Sequence, residues 1–507
     1  MIFINTSTNS TGLFKPLFPI SIPYGIGILI SVLRENHIKA SFVDQQIYKN
    51  VLPKISEIVS KHSKPYIFCI STLTEAYSEA VRLSYKLKKL YPDCIIILGG
   101  IHPTVVPEEV LAEIEACDYV FIGEGELQIV NIYNKLKSGN DIQDIPGIAY
   151  RKGSEVVINF ADEVVNNINF LPEFPYDIFI PFSQYNFSHI ISSRGCPYNC
   201  TFCCVNFVGK RRYRYKNTEN TVKELEFLAK DLKQKHIAFF DDNLLANKKR
   251  IIELCEFIGK SKILKDVTYS FQARVRDMNE DVLKLMFNTG FKTIFLGIET
   301  VSPEILKNIG KTEMPDEISQ AIFKLKEIGF RVMANFIFCF PAESREIRMK
   351  CVDFSIKHDL DLVKFNNVVP YPGTVLYEQN KDKIKVKKYY SNFNSQEVLV
   401  RPFYKKPKFP LIPQNTSEYQ IYNDILFSYF KYYFRYRQIK KIFTQKGWGD
   451  LILSTGDSFF IKIKKSPALI FLGIDIFIKF VLMFLSVFKR DGVKIKELLM
   501  VFREFFK

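Results

Sequence analysis

Arg194-Gly195-Cys196-Pro197-Tyr198-Asn199-Cys200-Thr201-Phe202-Cys203-Cys204 follows an apolar run, Phe187 to Ser193, that reads as a strand. Cys196, Cys200 and Cys203 are spaced C-x3-C-x2-C in a chain otherwise sparing with cysteine. Thiolates at this spacing can hold three irons of a 4Fe-4S cluster and leave the fourth iron open to a small chelating molecule. A zinc knuckle and a redox pair are the alternatives. Zinc takes a fourth ligand, and His189 and Cys204, the nearest candidates, are poorly spaced for it. The cluster is the preferred reading, with Cys204 a buried thiol pointing away.

The chain has 507 residues, 47% of them hydrophobic, enough for two or three domains with large cores. Cys69, Cys94, Cys117, Cys255, Cys339 and Cys351 stand in apolar surroundings without pair spacing, so they read as core thiols in a reducing cytoplasm. Met1-Ile2-Phe3-Ile4-Asn5 lacks the basic and long apolar regions of a signal peptide. The net charge is +16, but residues 401–507 hold 20 Lys and Arg against 8 Asp and Glu, so most of the excess is in the last fifth. That tail is rich in Phe, Tyr, Leu and Ile, which points to a membrane surface rather than to nucleic acid.

Residues 1–140 alternate short apolar runs with helical patterns, the signature of a doubly wound α/β domain. Five strands are expected at Met1–Asn5, Ala40–Val43, Tyr66–Ser71, Cys94–Leu98 and Tyr119–Ile122. Ligands on such sheets bind beyond the carboxyl ends of the strands, here at Ser71-Thr72, Gly99-Gly100 and Gly123-Glu124-Gly125. Gly25-Ile26-Gly27 is too little for a dinucleotide site. Residues 141–186 read as a hairpin with a turn at Lys152-Gly153, followed by a proline-broken linker.

Residues 187–380 repeat strand and helix six times, a partial (βα)6 barrel with an open flank and its chemistry at the carboxyl ends of the strands. The strands are expected at His189–Ser193, His236–Asp241, Val267–Val275, Lys292–Thr300, Arg331–Pro341 and Leu362–Val369. Polar residues interrupt the apolar runs at Asp241-Asp242, at Gln272 and Arg274, which alternation puts on one face, and at Glu299. The run Gly209 to Tyr215 is basic with interleaved aromatics; it is read as framing the cysteine loop, not as a nucleic-acid site.

Residues 381–507 form a basic, apolar, mainly helical region. Ile421–Phe443 has the composition of an interfacial helix. Ser466–Phe488 is long enough to span a bilayer, but Asp475 and Lys479 interrupt it, so surface insertion or burial against the barrel is preferred. Val493–Phe506 reads as a last amphipathic helix.

The cysteine motif, the Gly297 to Glu299 strand end and the domain order over residues 1–375 resemble the class B radical S-adenosylmethionine superfamily, in which a cobalamin-binding domain precedes the barrel. The resemblance implies three cofactors: a 4Fe-4S cluster on Cys196, Cys200 and Cys203, S-adenosylmethionine near Asp241, Gln272, Arg274 and Glu299, and cobalamin along Ser71, Thr72, Gly99, Gly100, Gly123 and Gly125. Glycine there lets the corrin approach the backbone. The sequence departs from the best-known cobalamin pattern in lacking Asp-x-His-x-x-Gly, and His102 reads as a turn-capping residue. A second departure is Cys339, which stands where related members have the first glycine of a Gly-x-Pro-x-Glu turn.

The activity implied is methylation of an unactivated carbon, and the basic, apolar tail points to an apolar or lipid-like substrate. One S-adenosylmethionine would supply the methyl and a second the 5′-deoxyadenosyl radical. The implied partners are a reductase or a flavodoxin- or ferredoxin-type electron donor and an anionic membrane surface at the inner face. Cobalamin-assisted cyclisation, oxidation or rearrangement is the near alternative. A cluster-bearing redox sensor or a membrane-bound interaction protein is the distant one. A methylthiotransferase is disfavoured because Cys69, Cys94 and Cys117 lie on separate elements.

Overall fold

A computed structural model describes residues 1–7, 20–48, 50–160, 164–444, 466–485 and 494–505. Five apolar runs form a parallel sheet in the spatial order Ser41–Asp44, Ile2–Asn5, Ile67–Ser71, Ile95–Gly99, Tyr119–Phe121. Runs without polar alternation are what a sheet covered on both faces requires, and two separate hydrophobic cores flank this one. The strand order reverses between Ile2–Asn5 and Ile67–Ser71, so a crevice opens beyond their carboxyl ends. The expected hairpin is present as Ile148–Lys152 and Glu155–Ile158, but it extends this sheet to seven strands by pairing antiparallel with Tyr119–Phe121. The first domain therefore runs past residue 140 to the end of the hairpin.

The second sheet has six parallel strands in sequence order: His189–Ile190, His236–Phe239, Thr268–Ala273, Phe291–Glu299, Arg331–Phe338 and Leu362–Asn367. The first is shorter than expected because the chain leaves it at Ile191 to form a two-residue strand, Ser193–Arg194, paired with Arg214–Tyr215.

The Tyr- and Phe-rich segment is two helices, Glu418–Tyr433 and Tyr436–Thr444, and the first is buried along most of its length. Its tyrosines close the free edge of the last barrel strand. Tyr433 Oη accepts from Val363 N at 3.1 Å and donates to Val363 O at 2.8 Å, and Tyr429 Oη accepts from Phe365 N at 3.0 Å. An uncovered edge would leave those groups open to another chain, so the aromatic composition serves the barrel and the interfacial-helix reading is corrected.

The helix Ser466–Leu485 turns its charges inward. Lys479 Nζ lies 2.6 Å from Asp475 and donates to Val398 O and Leu399 O, while Asp475 accepts from Phe403 N at 2.8 Å. Its outer face exposes Ile474, Phe477, Leu482 and Leu485, and the neighbouring Ile495–Phe505 helix exposes Leu499 and Met500. Residues 486–488, 493 and 506, counted in the expected helices, lie outside the described residues. Among the described residues no helix is long and apolar enough to cross a membrane.

Removing one member of a buried ion pair strands the other at about 3 kcal/mol or more. Asp475→Leu is therefore expected to release this helix to limited proteolysis, and Asp475→Leu with Lys479→Met to restore protection. Equal protection in the single variant and the parent would contradict the docking.

Candidate functional site

The cysteine loop starts at a position only glycine can fill. Gly195 has φ +83°, and a Cβ there would lie 2.3 Å from Arg212 O, in the basic segment that the Ser193–Arg194 pairing brings alongside. That run frames the loop, as expected. On the other side Thr201 N donates to Ile309 O at 3.1 Å, and Gly310, at φ +75°, has room for no Cβ because Asn199 O would be 2.9 Å away.

Cys196, Cys200 and Cys203 are half-buried and within electrostatic reach of one another. Burial, then the neighbouring thiols, pushes Cys203 up to about 12, and burial raises the other two. Metal binding must displace those protons. Among the described residues no three His, Cys, Asp or Glu are close enough to hold a single metal ion. Three thiols on one loop match the three protein ligands of an open 4Fe-4S cluster, whereas zinc takes a fourth. Cys204 lines the interdomain cavity.

Arg274 stands against the tripod. Its guanidinium lies 4.1 Å over the Tyr198 ring, with Nη1 3.6 Å from Cys200 Sγ, and it grips Glu313 through Nε at 2.8 Å and Nη2 at 2.9 Å. Burial alone would raise the Glu313 carboxyl, but the hydrogen bonds and charge of Arg274 hold it down at about 2. A depressed carboxyl stabilises the fold above its unfolded value near 4.5, and that contribution is lost as pH falls toward 2. Glu313→Gln is expected to lower the melting temperature at neutral pH by an amount equivalent to about 3 kcal/mol. The gap to the parent should narrow between pH 4.5 and 2; a gap constant with pH would contradict the pairing.

The other expected contacts divide. Glu299, at φ +65°, folds back to accept from Lys311 Nζ at 3.0 Å, and Gly297 leaves room for it, since a Cβ there would sit 2.6 Å from Glu299 Oε1. Gln272 is exposed to the barrel lumen. Asp241 is not free to meet a ligand: it is fully buried, its oxygens taken by Ser192 N at 3.2 Å, Ser192 Oγ at 2.8 Å and Ser193 Oγ, with Arg250 4.0 Å away. This is a correction; its neighbour Asp242 lines the interdomain cavity and accepts from Gly195 N at 2.9 Å. Cys339 is a packed thiol at φ +77° whose amide donates to Glu343 at 2.5 Å.

Between the two sheets lies a cavity of about 900 Å³ with mainly apolar walls. Ser71, Gly99, Gly100, Gly123 and Gly125 line it from the first domain. Thr72 does not; it is buried beneath, with its amide donating to Gly99 O at 3.0 Å and its hydroxyl to Leu73 O. Gly100 has φ +97° and its Cβ would meet Thr72 O at 2.7 Å, whereas a Cβ on Gly99 would meet nothing within 4 Å. This open glycine ledge, beside apolar walls, fits a flat ring pressed on the backbone. His102 lies elsewhere, buried against Tyr77 and Tyr390, with its pKa pushed down to about 3 by burial. Among the described residues no histidine lines the cavity.

The glycine turn and the cysteine loop are clamped together by charges that the sequence pattern did not single out. Glu124 bonds Arg214 at 2.6 Å and Arg194 at 3.3 Å, Glu126 bonds Arg194 at 2.8 Å, and all four side chains are largely buried. Arg194 is two residues before Cys196, so the clamp sets the distance across the cavity.

A doubly wound domain and a six-stranded barrel meet at a cavity lined by the glycine turns and by Gly195 and Cys204 of the cysteine loop, the arrangement of a radical S-adenosylmethionine enzyme with a B12-binding domain. The pattern of the Radical SAM superfamily matches residues 190–354, and that of the B12 binding domain matches residues 17–132. An uncharacterized methyltransferase of Pyrococcus horikoshii, PH0819, is 32% identical over 361 residues, 70% of this chain and 78% of that protein. The chain belongs to this family. The anaerobic magnesium-protoporphyrin IX monomethyl ester cyclase of Rubrivivax gelatinosus is 28% identical over 342 residues, 64% of this chain and 60% of the cyclase. The cobalamin-dependent S-adenosylmethionine radical enzyme OxsB, solved with aqua-cobalamin and S-adenosylmethionine bound, shares the fold with a TM-score of 0.68 at 17% identity, covering 99% of this chain and 74% of that one.

Proposed function

We propose that this protein methylates an unactivated carbon of an apolar, lipid-like substrate, with Cys196, Cys200 and Cys203 holding a 4Fe-4S cluster and the Ser71, Gly99, Gly100, Gly123 and Gly125 ledge holding cobalamin. The observation that carries this reading is that the tripod and the ledge are locked at a set separation by Glu124, Glu126, Arg194 and Arg214, with one apolar cavity against the ledge. When bound, the cluster supplies the electron that splits the C–S bond of S-adenosylmethionine, and the corrin carries the methyl group.

The chain's own residues do the rest. Gln272, Arg274 and Glu299 would meet S-adenosylmethionine at the strand ends, with Lys311 holding Glu299, and Asp242 fixes the Gly195 amide so that the loop keeps its shape. Phe3, Tyr24, Ile101 and Phe240 give the cavity apolar walls, which would help protect a radical from quenching. The exposed apolar face of the last two helices, set in basic sequence, supports docking of the protein on an anionic membrane surface at the cytoplasmic side. A flavodoxin- or ferredoxin-type donor would supply the electron.

The test is incubation of the reconstituted enzyme with methyl-labelled S-adenosylmethionine and a lipid extract, read by mass spectrometry, with cosedimentation on anionic vesicles as the check on docking. Label in a lipid together with 5′-deoxyadenosine supports the reading. 5′-Deoxyadenosine with an unmethylated, oxidised product supports the second reading, cyclisation or oxidation, which the likeness to the cyclase favours.

A further inference from the structure

The barrel lumen carries a cation that the methylation chemistry above does not use. On the last strand, the Phe365 ring packs on Tyr429 and Tyr432 of the Glu418–Tyr433 helix and Val363 is buried in the same core, so alternation turns Lys364 into the lumen. The strand register sets Lys364 beside Asn335, and Asn366 follows on the same face. All three side chains are at least partly exposed there.

The other lumen-end cations are spoken for, Arg274 by Glu313 and Lys311 by Glu299. Lys364 has no carboxylate or carbonyl partner among the described residues. The protein around it lowers its pKa by removing water from the ammonium. An ammonium with no carboxylate partner, beside two side-chain amides that can donate, is stabilised most by an anion.

We infer that Lys364, Asn335 and Asn366 form a binding site for an anionic group, carboxylate or phosphate, on the substrate. The inference deepens the proposed function and rests on it. Phe295 and Ile337, which share the lumen face, would take the apolar part of the same molecule. The substrate is then an amphiphile, held by its acid head inside the barrel while its apolar body reaches toward the cavity.

The test is calorimetric titration of the full reconstituted chain with octyl phosphate, octanoate and 1-octanol. One or both anions are expected to bind about tenfold tighter than the alcohol, and which of them does so tells phosphate from carboxylate. Lys364→Met is expected to erase that preference and Lys364→Arg to keep it, with cluster content and affinity for S-adenosylmethionine unchanged in both. No preference in the parent, or one that survives Lys364→Met, overturns the inference. So does a parallel loss of S-adenosylmethionine affinity, because the anion would then be the cosubstrate's own carboxylate. Loss of the cluster or corrin in the parent would reject the proposed function itself, which separates the two failures.

Discussion

Replacing any one of Cys196, Cys200 or Cys203 with alanine is expected to reduce reductive cleavage of S-adenosylmethionine to background and to strip most of the iron, whereas Cys204→Ala should keep both. The tripod offers three thiols with no fourth ligand to take over, so each loss leaves a cluster on two anchors. Cys204 is next in sequence but turns to the interdomain cavity. The variants should still fold, because the loop is shaped by Gly195, Gly310 and the Arg194–Arg214 pairing, not by the thiols. Iron analysis and 5′-deoxyadenosine measured by chromatography check it. Full iron in Cys203→Ala, or its loss in Cys204→Ala, would move the site.

The second large effect is expected at Gly99. Its Cβ position opens on the cavity with nothing within 4 Å, and its backbone is ordinary strand, so Gly99→Leu should fold normally while filling the ledge. Cobalamin binding is expected to fall by at least about tenfold, since a side chain would hold the ring off the backbone, with iron content untouched. Gly100→Leu is the harsher control: it collides with Thr72 O and forces φ +97° on a residue with a Cβ, so it should lower stability as well. Undiminished corrin binding in Gly99→Leu would remove the ledge from the account.

Much of the fold was legible because parallel strands buried on both faces must be continuous apolar runs, as the five of the first sheet are, while the six barrel strands show themselves by their regular alternation with helices. The cysteine tripod was legible because its spacing is itself the chemical signal. What sequence could not show depends on partners far along the chain. Asp241 and Asp242 are adjacent acids at a strand end, and only the serines at 192 and 193 decide that Asp241 is a buried anchor and Asp242 the cavity wall. The clamp joins Glu124 to Arg214, 90 residues away, with no local pattern to mark it. Lys311 was missed for the same reason, being placed by a loop that follows a short helix. The tyrosine-rich segment was misread because the composition of a helix facing lipid and of one capping a barrel edge is the same; the hydroxyl contacts to Val363 and Phe365 distinguish them.

Iron and cobalt content of the full chain, purified without oxygen and reconstituted with iron, sulfide and cobalamin, tests the central claim most directly. The account predicts about four irons and one cobalt per chain, with the cobalt lost in Gly99→Leu and the iron lost in Cys200→Ala. Four irons with no cobalt in the parent protein would contradict it, leaving a radical enzyme whose first domain holds no corrin.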